Sequence, residues 1–178
     1  AYAGRRLNKP VTVVVPTTTK PIAKELIERE GAKVIVSGDN FLASHDFAIT
    51  LCDDKKRYIH PFDDPLIWDG HASIVDEIIE DGIVPDVIIV SVGGGGLLLG
   101  IEKGLKKHKL SNASILAVET EGADSFNKSI LANELIELNK ITSIATSLGA
   151  KKVSKALYEL KDSKNLISHV VSDKSAVN

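Results

Sequence analysis

The feature that most constrains the fold of this chain is a series of short segments rich in Val, Ile and Leu. These segments cover residues 11–15, 33–36, 87–92, 114–118 and 169–171. An unbroken apolar run, unlike an alternating one, is typical of a strand that is buried on both faces, as in a parallel sheet. We therefore predict an α/β protein with parallel strands. Residues 57–59 form a shorter candidate strand.

Segments with helical spacing of apolar residues separate these runs. Residues 68–80 and 97–107 each place their apolar side chains on one face of a helix. A third helix is predicted after Pro21, and Gly31 is expected to end it. Alternating strands and helices indicate a parallel sheet with right-handed crossovers.

The organisation of the chain suggests two parts and two truncated ends. Residues 1–7 resemble the end of a helix and residues 172–178 the start of one, and the sequence contains no methionine. We therefore expect an internal fragment of a longer protein. The two prolines in residues 60–65 interrupt the alternation, which predicts a boundary between one lobe at 1–59 and another at 60–178.

Composition excludes several classes of partner. The net charge is −2, so no basic surface favours nucleic acid or an anionic membrane. No apolar run approaches the roughly 20 residues of a membrane helix. The single cysteine, Cys52, fits a reducing compartment. We expect a small molecule as the partner, and a cytoplasmic location with the mitochondrion as the alternative.

Four consecutive glycines form the most distinctive motif. Gly93, Gly94, Gly95 and Gly96 follow a predicted strand and precede a predicted helix. Glycine costs roughly 0.5–1 kcal/mol relative to alanine in regular structure, so such a run is tolerated where the backbone turns sharply or approaches a ligand. The N–H groups and the dipole at a helix N-terminus favour an anion, commonly phosphate. The alternative is a turn without a ligand.

Two common phosphate motifs do not fit this loop. Gly95 and Gly100 have the P-loop spacing, but Ile101 and Glu102 follow instead of Lys and Ser or Thr. The dinucleotide pattern Gly-x-Gly-x-x-Gly fails on a leucine in every register. Glu119 nevertheless stands at the end of the next strand, where a nucleotide site would place its ribose-binding acid. A nucleotide-binding module without chemistry therefore remains an alternative.

In several motifs the sequence resembles the pyridoxal-phosphate enzymes of the tryptophan synthase β type (fold type II), specifically the L-serine/L-threonine dehydratases. Residues 91–97 resemble the tetraglycine phosphate cup of that family, and residues 60–71 resemble the segment that returns the chain from its small lobe to its large lobe. Residues 13–19 and 140–149 resemble the turn after the asparagine loop and a segment that lines the cofactor site. The resemblance implies a two-lobed architecture, with residues 1–59 in the small lobe and 60–178 in the large, phosphate-binding lobe.

The resemblance also implies an activity. It is the pyridoxal-phosphate-dependent β-elimination of L-serine to pyruvate, or of L-threonine to 2-oxobutyrate, with release of ammonia. Gly93–Gly96 and Leu97 would hold the cofactor phosphate. The family's Schiff-base lysine lies in a Ser-x-Lys-x-Arg-Gly motif that this sequence lacks, so no catalytic residue is assigned and the fragment is expected to be inactive. A serine racemase or a cysteine synthase is the alternative within the fold, and a homodimer is expected.

A monovalent cation, usually potassium, is a further implication of the resemblance. Glu119 would be its side-chain ligand, and the backbone carbonyls of Gly93, Ala123, Leu148 and Ala150 would supply the others. Hard oxygen ligands suit such an ion. The alternatives for Glu119 are a solvated strand end or an ion pair with a distant lysine.

Overall fold

The fold is described from a computed structural model that covers residues 1–110 and 112–178. The chain divides into two compact units, Ala1–Ile59 and His60–Asn178. The division falls at the start of the proline-containing segment. The assignment of the units to a small and a large lobe remains a prediction.

The first unit contains two parallel strands and three helices. In chain order these are α1 (Tyr2–Arg6), β1 (Thr12–Val15), α2 (Pro21–Arg29), β2 (Lys33–Val36) and α3 (Phe41–Thr50). Val13 lies opposite Val34 in the β1–β2 pair. Pro21 occupies the first turn of α2, where its missing N–H costs nothing. The Asn40 side chain caps α3 by accepting the N–H of Ala43 at 3.0 Å.

The second unit is built on a three-stranded parallel sheet in the order β3–β4–β5. Its elements are α4 (Pro65–Glu80), β3 (Val87–Ser91), α5 (Gly96–Lys107), β4 (Ser114–Thr120), α6 (Ser125–Ala132), a 3-10 turn (Thr146–Leu148), α7 (Lys155–Glu159), β5 (Leu166–Val171) and α8 (Asp173–Val177). The central strand β4 therefore has a neighbour on each side. All five predicted strands are present, and β4 and β5 are longer than their apolar cores suggested.

Two expectations about strands are wrong. Residues 57–59 form no strand: their backbone pairs with no other segment, and the Tyr58 hydroxyl lies 2.7 Å from His45 Nδ1. The only bridge near them pairs Asp53 with Lys56 in a tight turn. Burial on both faces fails for β2, β3 and β5, since Val36, Ile89 and Ile167 are 47%, 69% and 51% exposed.

The core of the second unit is aliphatic, with a single phenylalanine at its centre. Val75, Leu98, Phe126 and Leu157 are at most 1% exposed and belong to one apolar cluster. Helices α4 and α5 approach closely, because a Cβ at Gly104 would lie 2.7 Å from the Val75 side chain. Among the described residues, no helix is both long enough and apolar enough to span a bilayer.

Candidate phosphate-binding site

The glycine loop connects the end of β3 to the start of α5. Val92 continues the strand pairing by donating its N–H to the Val118 carbonyl at 2.9 Å, and Gly95 adopts a left-handed conformation with φ of 100°. In the described part of the chain, the backbone N–H groups of residues 93–98 have no protein acceptor. Orphan donors at a helix N-terminus, together with the positive end of the helix dipole, form a site for an anion.

Close packing fixes the backbone of this loop from three directions. A Cβ at Gly94 would overlap the Phe62 ring, and one at Gly95 would lie 2.5 Å from the Leu157 side chain. A Cβ at Gly93 would lie 3.2 Å from the Leu148 carbonyl oxygen. The sequence suggested that these positions are glycine so that the backbone can approach a ligand. The structure shows a second reason, because neighbouring segments of the protein leave no space for a side chain there.

The corner that carries Phe62 is held by its own hydrogen bonds. His60 Nδ1 accepts the backbone N–H of Phe62 at 3.2 Å and of Asp63 at 2.8 Å. Because Nδ1 accepts both, the proton of the neutral ring lies on Nε2. Trp68 Nε1 donates to the Phe62 carbonyl at 2.7 Å. This corner therefore places the Phe62 ring on the glycine loop.

Glu119 is the buried carboxylate nearest the end of β4. It is 1% exposed, and its Oε1 and Oε2 accept the N–H groups of Phe126 at 2.9 Å and Asn127 at 2.7 Å, in the first turn of α6. Burial raises its pKa to about 7 although both backbone donors act to lower it. The solvated-end and lysine-pair alternatives are therefore wrong. Its neighbour Lys128 pairs with Asp124 instead, at 3.0 Å.

Of the predicted cation ligands, the structure shows Leu148 and Gly93 in contact with each other. Leu148 packs against Gly93, and the Ala150 carbonyl accepts the Ser125 hydroxyl at 3.0 Å, two residues after the buried Ala123. Sequence reasoning missed Ser125, and the available signal was its position two residues after Ala123, at the start of α6. The described residues contain no group of three or more His, Cys, Asp or Glu side chains that could hold a metal.

The chain is an α/β protein in which a parallel strand runs through a glycine loop into a helix N-terminus, an arrangement that favours an anion. The chain belongs to the pyridoxal-phosphate dependent enzyme family, which it matches over residues 1–178.

Within this family, the chain is similar to serine and threonine dehydratases. The chain is 43% identical to the human L-serine dehydratase/L-threonine deaminase, covering 99% of this chain and 55% of that protein. It is 39% identical to the L-serine dehydratase of Dictyostelium discoideum, covering 100% of this chain and 54% of that protein. The chain thus spans about half the length of the curated relatives it matches.

Solved structures agree on the fold. The L-serine ammonia-lyase of the fungus Rhizomucor miehei superposes with a TM-score of 0.87 at 36% identity, covering 98% of this chain and 56% of that one. Maize serine racemase gives a TM-score of 0.89 at 24% identity, covering 99% and 53%, and at that identity it bears on the fold alone. The predicted fold type II α/β class and the resemblance to serine/threonine dehydratases are confirmed.

Proposed function

We propose that the protein containing this chain is a pyridoxal-phosphate-dependent L-serine/L-threonine ammonia-lyase, and that residues 93–97 hold the cofactor phosphate. The observation that carries this proposal is the set of backbone N–H groups without a protein acceptor at the start of α5. The identity of about 40% with dehydratases adds the reaction class. The reaction would convert L-serine to pyruvate and ammonia, and L-threonine to 2-oxobutyrate and ammonia.

The residues present fit the phosphate end of the cofactor. When bound, pyridoxal phosphate supplies the electron sink that an elimination at the β-carbon needs. The chain's own contribution would be to bind and orient the cofactor. The N–H groups of Gly93–Gly96 and Leu97 would donate to the phosphate oxygens, and Phe62 and Leu157 pack closely against the loop. The sequence contains no Ser-x-Lys-x-Arg-Gly motif, so the covalent anchor would come from outside this chain.

Racemase activity is the weaker alternative. The fold of maize serine racemase matches well, but the identity of 24% is far below the 43% shared with the human dehydratase. The nucleotide-binding alternative needs an accessible acid after β4. Glu119 does not fit that role, because its carboxylate is buried and both oxygens accept N–H groups of α6.

The proposal is tested on the full-length protein. We expect purified protein to carry a visible absorbance band from bound pyridoxal phosphate and to release keto acid from L-serine and L-threonine, whereas the 178-residue chain alone releases none. Chiral chromatography of the remaining serine distinguishes a racemase, which would produce D-serine faster than pyruvate. A colourless protein that still releases pyruvate would contradict the cofactor assignment.

We further propose that Glu119 and the carbonyls of Gly93, Ala123, Leu148 and Ala150 hold a monovalent cation such as potassium. A cation would offset the cost of burying the Glu119 carboxylate, which burial disfavours in its charged form. The packing of Leu148 on Gly93 and the bond from Ser125 to Ala150 support a compact site beside the glycine loop.

Exchange of potassium for tetramethylammonium tests the cation site. We expect the full-length protein to lose thermal stability and activity in the bulky cation, and the Glu119→Gln variant to become indifferent to the exchange. Glu121→Gln, an exposed neighbour, is the matched control and should keep the potassium response. A native protein that behaves alike in both salts would refute the site.

Three further expectations belong to the same proposal. The partner would be a free amino acid rather than nucleic acid or a membrane, consistent with the net charge of −2. The full-length protein would be a homodimer. It would function in the cytoplasm, or in the mitochondrion, because a single cysteine fits a reducing compartment.

A further inference from the structure

A chain of hydrogen bonds joins three distant segments at the carboxyl end of β4. The Thr120 and Ser143 hydroxyls lie 2.7 Å apart, and both side chains are buried. The Ser143 hydroxyl donates to Asp173 Oδ1 at 2.6 Å, and the other oxygen of Asp173 accepts the N–H of Ile144 at 3.0 Å. Asp173 is the first residue of α8, so one carboxylate ties the helix to the segment around Ser143.

Counting the available protons shows which hydroxyl is the donor in each hydrogen bond of this network. Ser143 has one hydroxyl proton, which goes to the carboxylate of Asp173. Its oxygen also accepts the N–H of Ala145 at 3.0 Å. Thr120 must therefore be the donor to Ser143, and the relay ends on the charged group. Hydrogen bonds to a charged acceptor are the stronger kind, so Asp173 is the anchor of the network.

The segment that Asp173 anchors continues directly to the glycine loop. Leu148, a few residues beyond Ile144, places its carbonyl where a Cβ at Gly93 would lie 3.2 Å away. Ala150 is held at the other end by the Ser125 hydroxyl. The backbone of residues 143–150 is thus fixed at both ends and pressed on the loop in between.

We propose that Asp173, acting through Ser143 and Ile144, is a positioning residue that holds residues 143–150 against Gly93 and so sets the shape of the phosphate-binding loop. The inference rests on the proposed function, since it concerns the same loop. It predicts that loss of the Asp173 charge weakens phosphate binding without any contact between Asp173 and the cofactor.

The test is the Asp173→Asn variant of the full-length holoenzyme. The two oxygens of Asp173 each accept one donor, the Ser143 hydroxyl and the Ile144 N–H. The asparagine side chain has only one acceptor oxygen, so one of these hydrogen bonds is lost. We expect the dissociation constant for pyridoxal phosphate to rise about tenfold, the effect of losing one hydrogen bond to a charged group. We also expect the phosphorus-31 resonance of the bound phosphate to shift or broaden, which a merely structural role would not produce in folded protein.

Asp162→Asn is the matched control, because it makes the same charge change at a side chain that is 83% exposed and paired only with Lys161 in the described structure. It should leave both readouts unchanged. Ser143→Ala provides a second variant should Asp173→Asn fail to fold. It removes the relay but keeps the bond from Ile144 to Asp173, and a smaller rise in the dissociation constant is expected.

The outcomes separate the two proposals. If the native full-length protein binds no pyridoxal phosphate, the proposed function fails and this inference fails with it. If the native protein binds the cofactor, but folded Asp173→Asn and Ser143→Ala variants bind it with native affinity and an unchanged phosphorus resonance, the positioning role alone is refuted.

Discussion

At the scale of single residues, the glycine loop shows that one run of identical residues meets several different demands. Gly94 gives space to the Phe62 ring, whereas Gly95 both adopts a positive φ and gives space to Leu157. Any side chain at Gly94 therefore meets Phe62 as well as any bound phosphate. A substitution there needs a comparison that separates packing from charge.

Gly94→Asp in the full-length protein should abolish cofactor binding, because the new carboxylate repels a phosphate on the same loop. Gly94→Ala should collide with Phe62 and lower the free energy of unfolding by about 1–3 kcal/mol, as overpacked sites do, yet retain measurable cofactor binding. Spectroscopic titration with pyridoxal phosphate and urea unfolding measure the two effects.

Gly70→Asp is the matched control for that pair of variants. It adds the same charge to α4 at a position where a Cβ meets nothing within 4 Å, so cofactor binding should be unchanged. The placement of phosphate on the loop would be wrong if folded Gly94→Asp protein titrated with the cofactor as tightly as Gly94→Ala.

At the scale of elements, helices α4 and α5 are joined by a tight apolar contact and, at the edge of that contact, by hydrogen bonds between charged and polar side chains. Asp76 on α4 accepts both Lys107 Nζ, at 2.8 Å, and His108 Nε2, at 2.6 Å, where α5 ends. These two partners hold the pKa of Asp76 below its ordinary value, Lys107 most strongly. Cations at the last turn of α5 also suit the negative end of that helix.

The contribution of Asp76 to the stability of the fold is expected to decrease at acid pH. A carboxylate whose pKa is depressed by folding stabilises the protein above its unfolded pKa, and that contribution is lost as the pH falls through the lower, folded pKa. We expect Asp76→Asn to lower the urea midpoint at pH 7 and to have no effect once Asp76 is protonated in the native chain. Asp86→Asn, an exposed site in the same unit, is the control. A difference between native and Asp76→Asn protein that stays constant through acid pH would contradict this assignment.

At the scale of the whole molecule, the two units differ in how much apolar surface they bury. The apolar cluster of the described residues lies entirely in the second unit, with Ala117 of β4 at 0% exposure. In the first unit, Val15 and Ala32 are the only described hydrophobic residues that are buried, and they remain 7% and 8% exposed. Regions with few buried apolar contacts open at lower free energy than a packed core.

Hydrogen exchange of the 178-residue chain should therefore be uneven. We expect amides of β4 to exchange most slowly, because that strand has a neighbour on both sides, and amides of β1 and β2 to exchange much faster. Mass spectrometry of peptic peptides measures both in one sample, with the edge strand β5 as an internal comparison. Equal protection of β2 and β4 would refute this ranking.

Features that depend on neighbours along the chain could be predicted from the sequence. The runs of Val and Ile located the strands, because β-branched residues favour extended structure even where, as at Ile89, one face of the strand is exposed. Gly93–Gly96 located the turn into α5, since both its conformation and its free N–H groups are local properties. Pro21 and Gly31 similarly marked the ends of α2.

Contacts between residues that are distant in the sequence could not be predicted in this way, because they depend on how the elements pack. From the sequence, Glu119 was a candidate cation ligand, a candidate ribose-binding acid, or a strand end open to solvent or to a lysine. In the structure its carboxylate accepts the N–H groups of Phe126 and Asn127 at the start of α6. Asp173 gave no signal of its own, because its partner Ser143 lies 30 residues earlier. The pattern of apolar residues predicts which side chains are buried, but it does not predict which residue each buried polar side chain contacts. The partner is decided by how the strands and helices pack. Because an unpaired buried polar group is costly, a packing that buries such a group also places it next to a hydrogen-bond donor or acceptor.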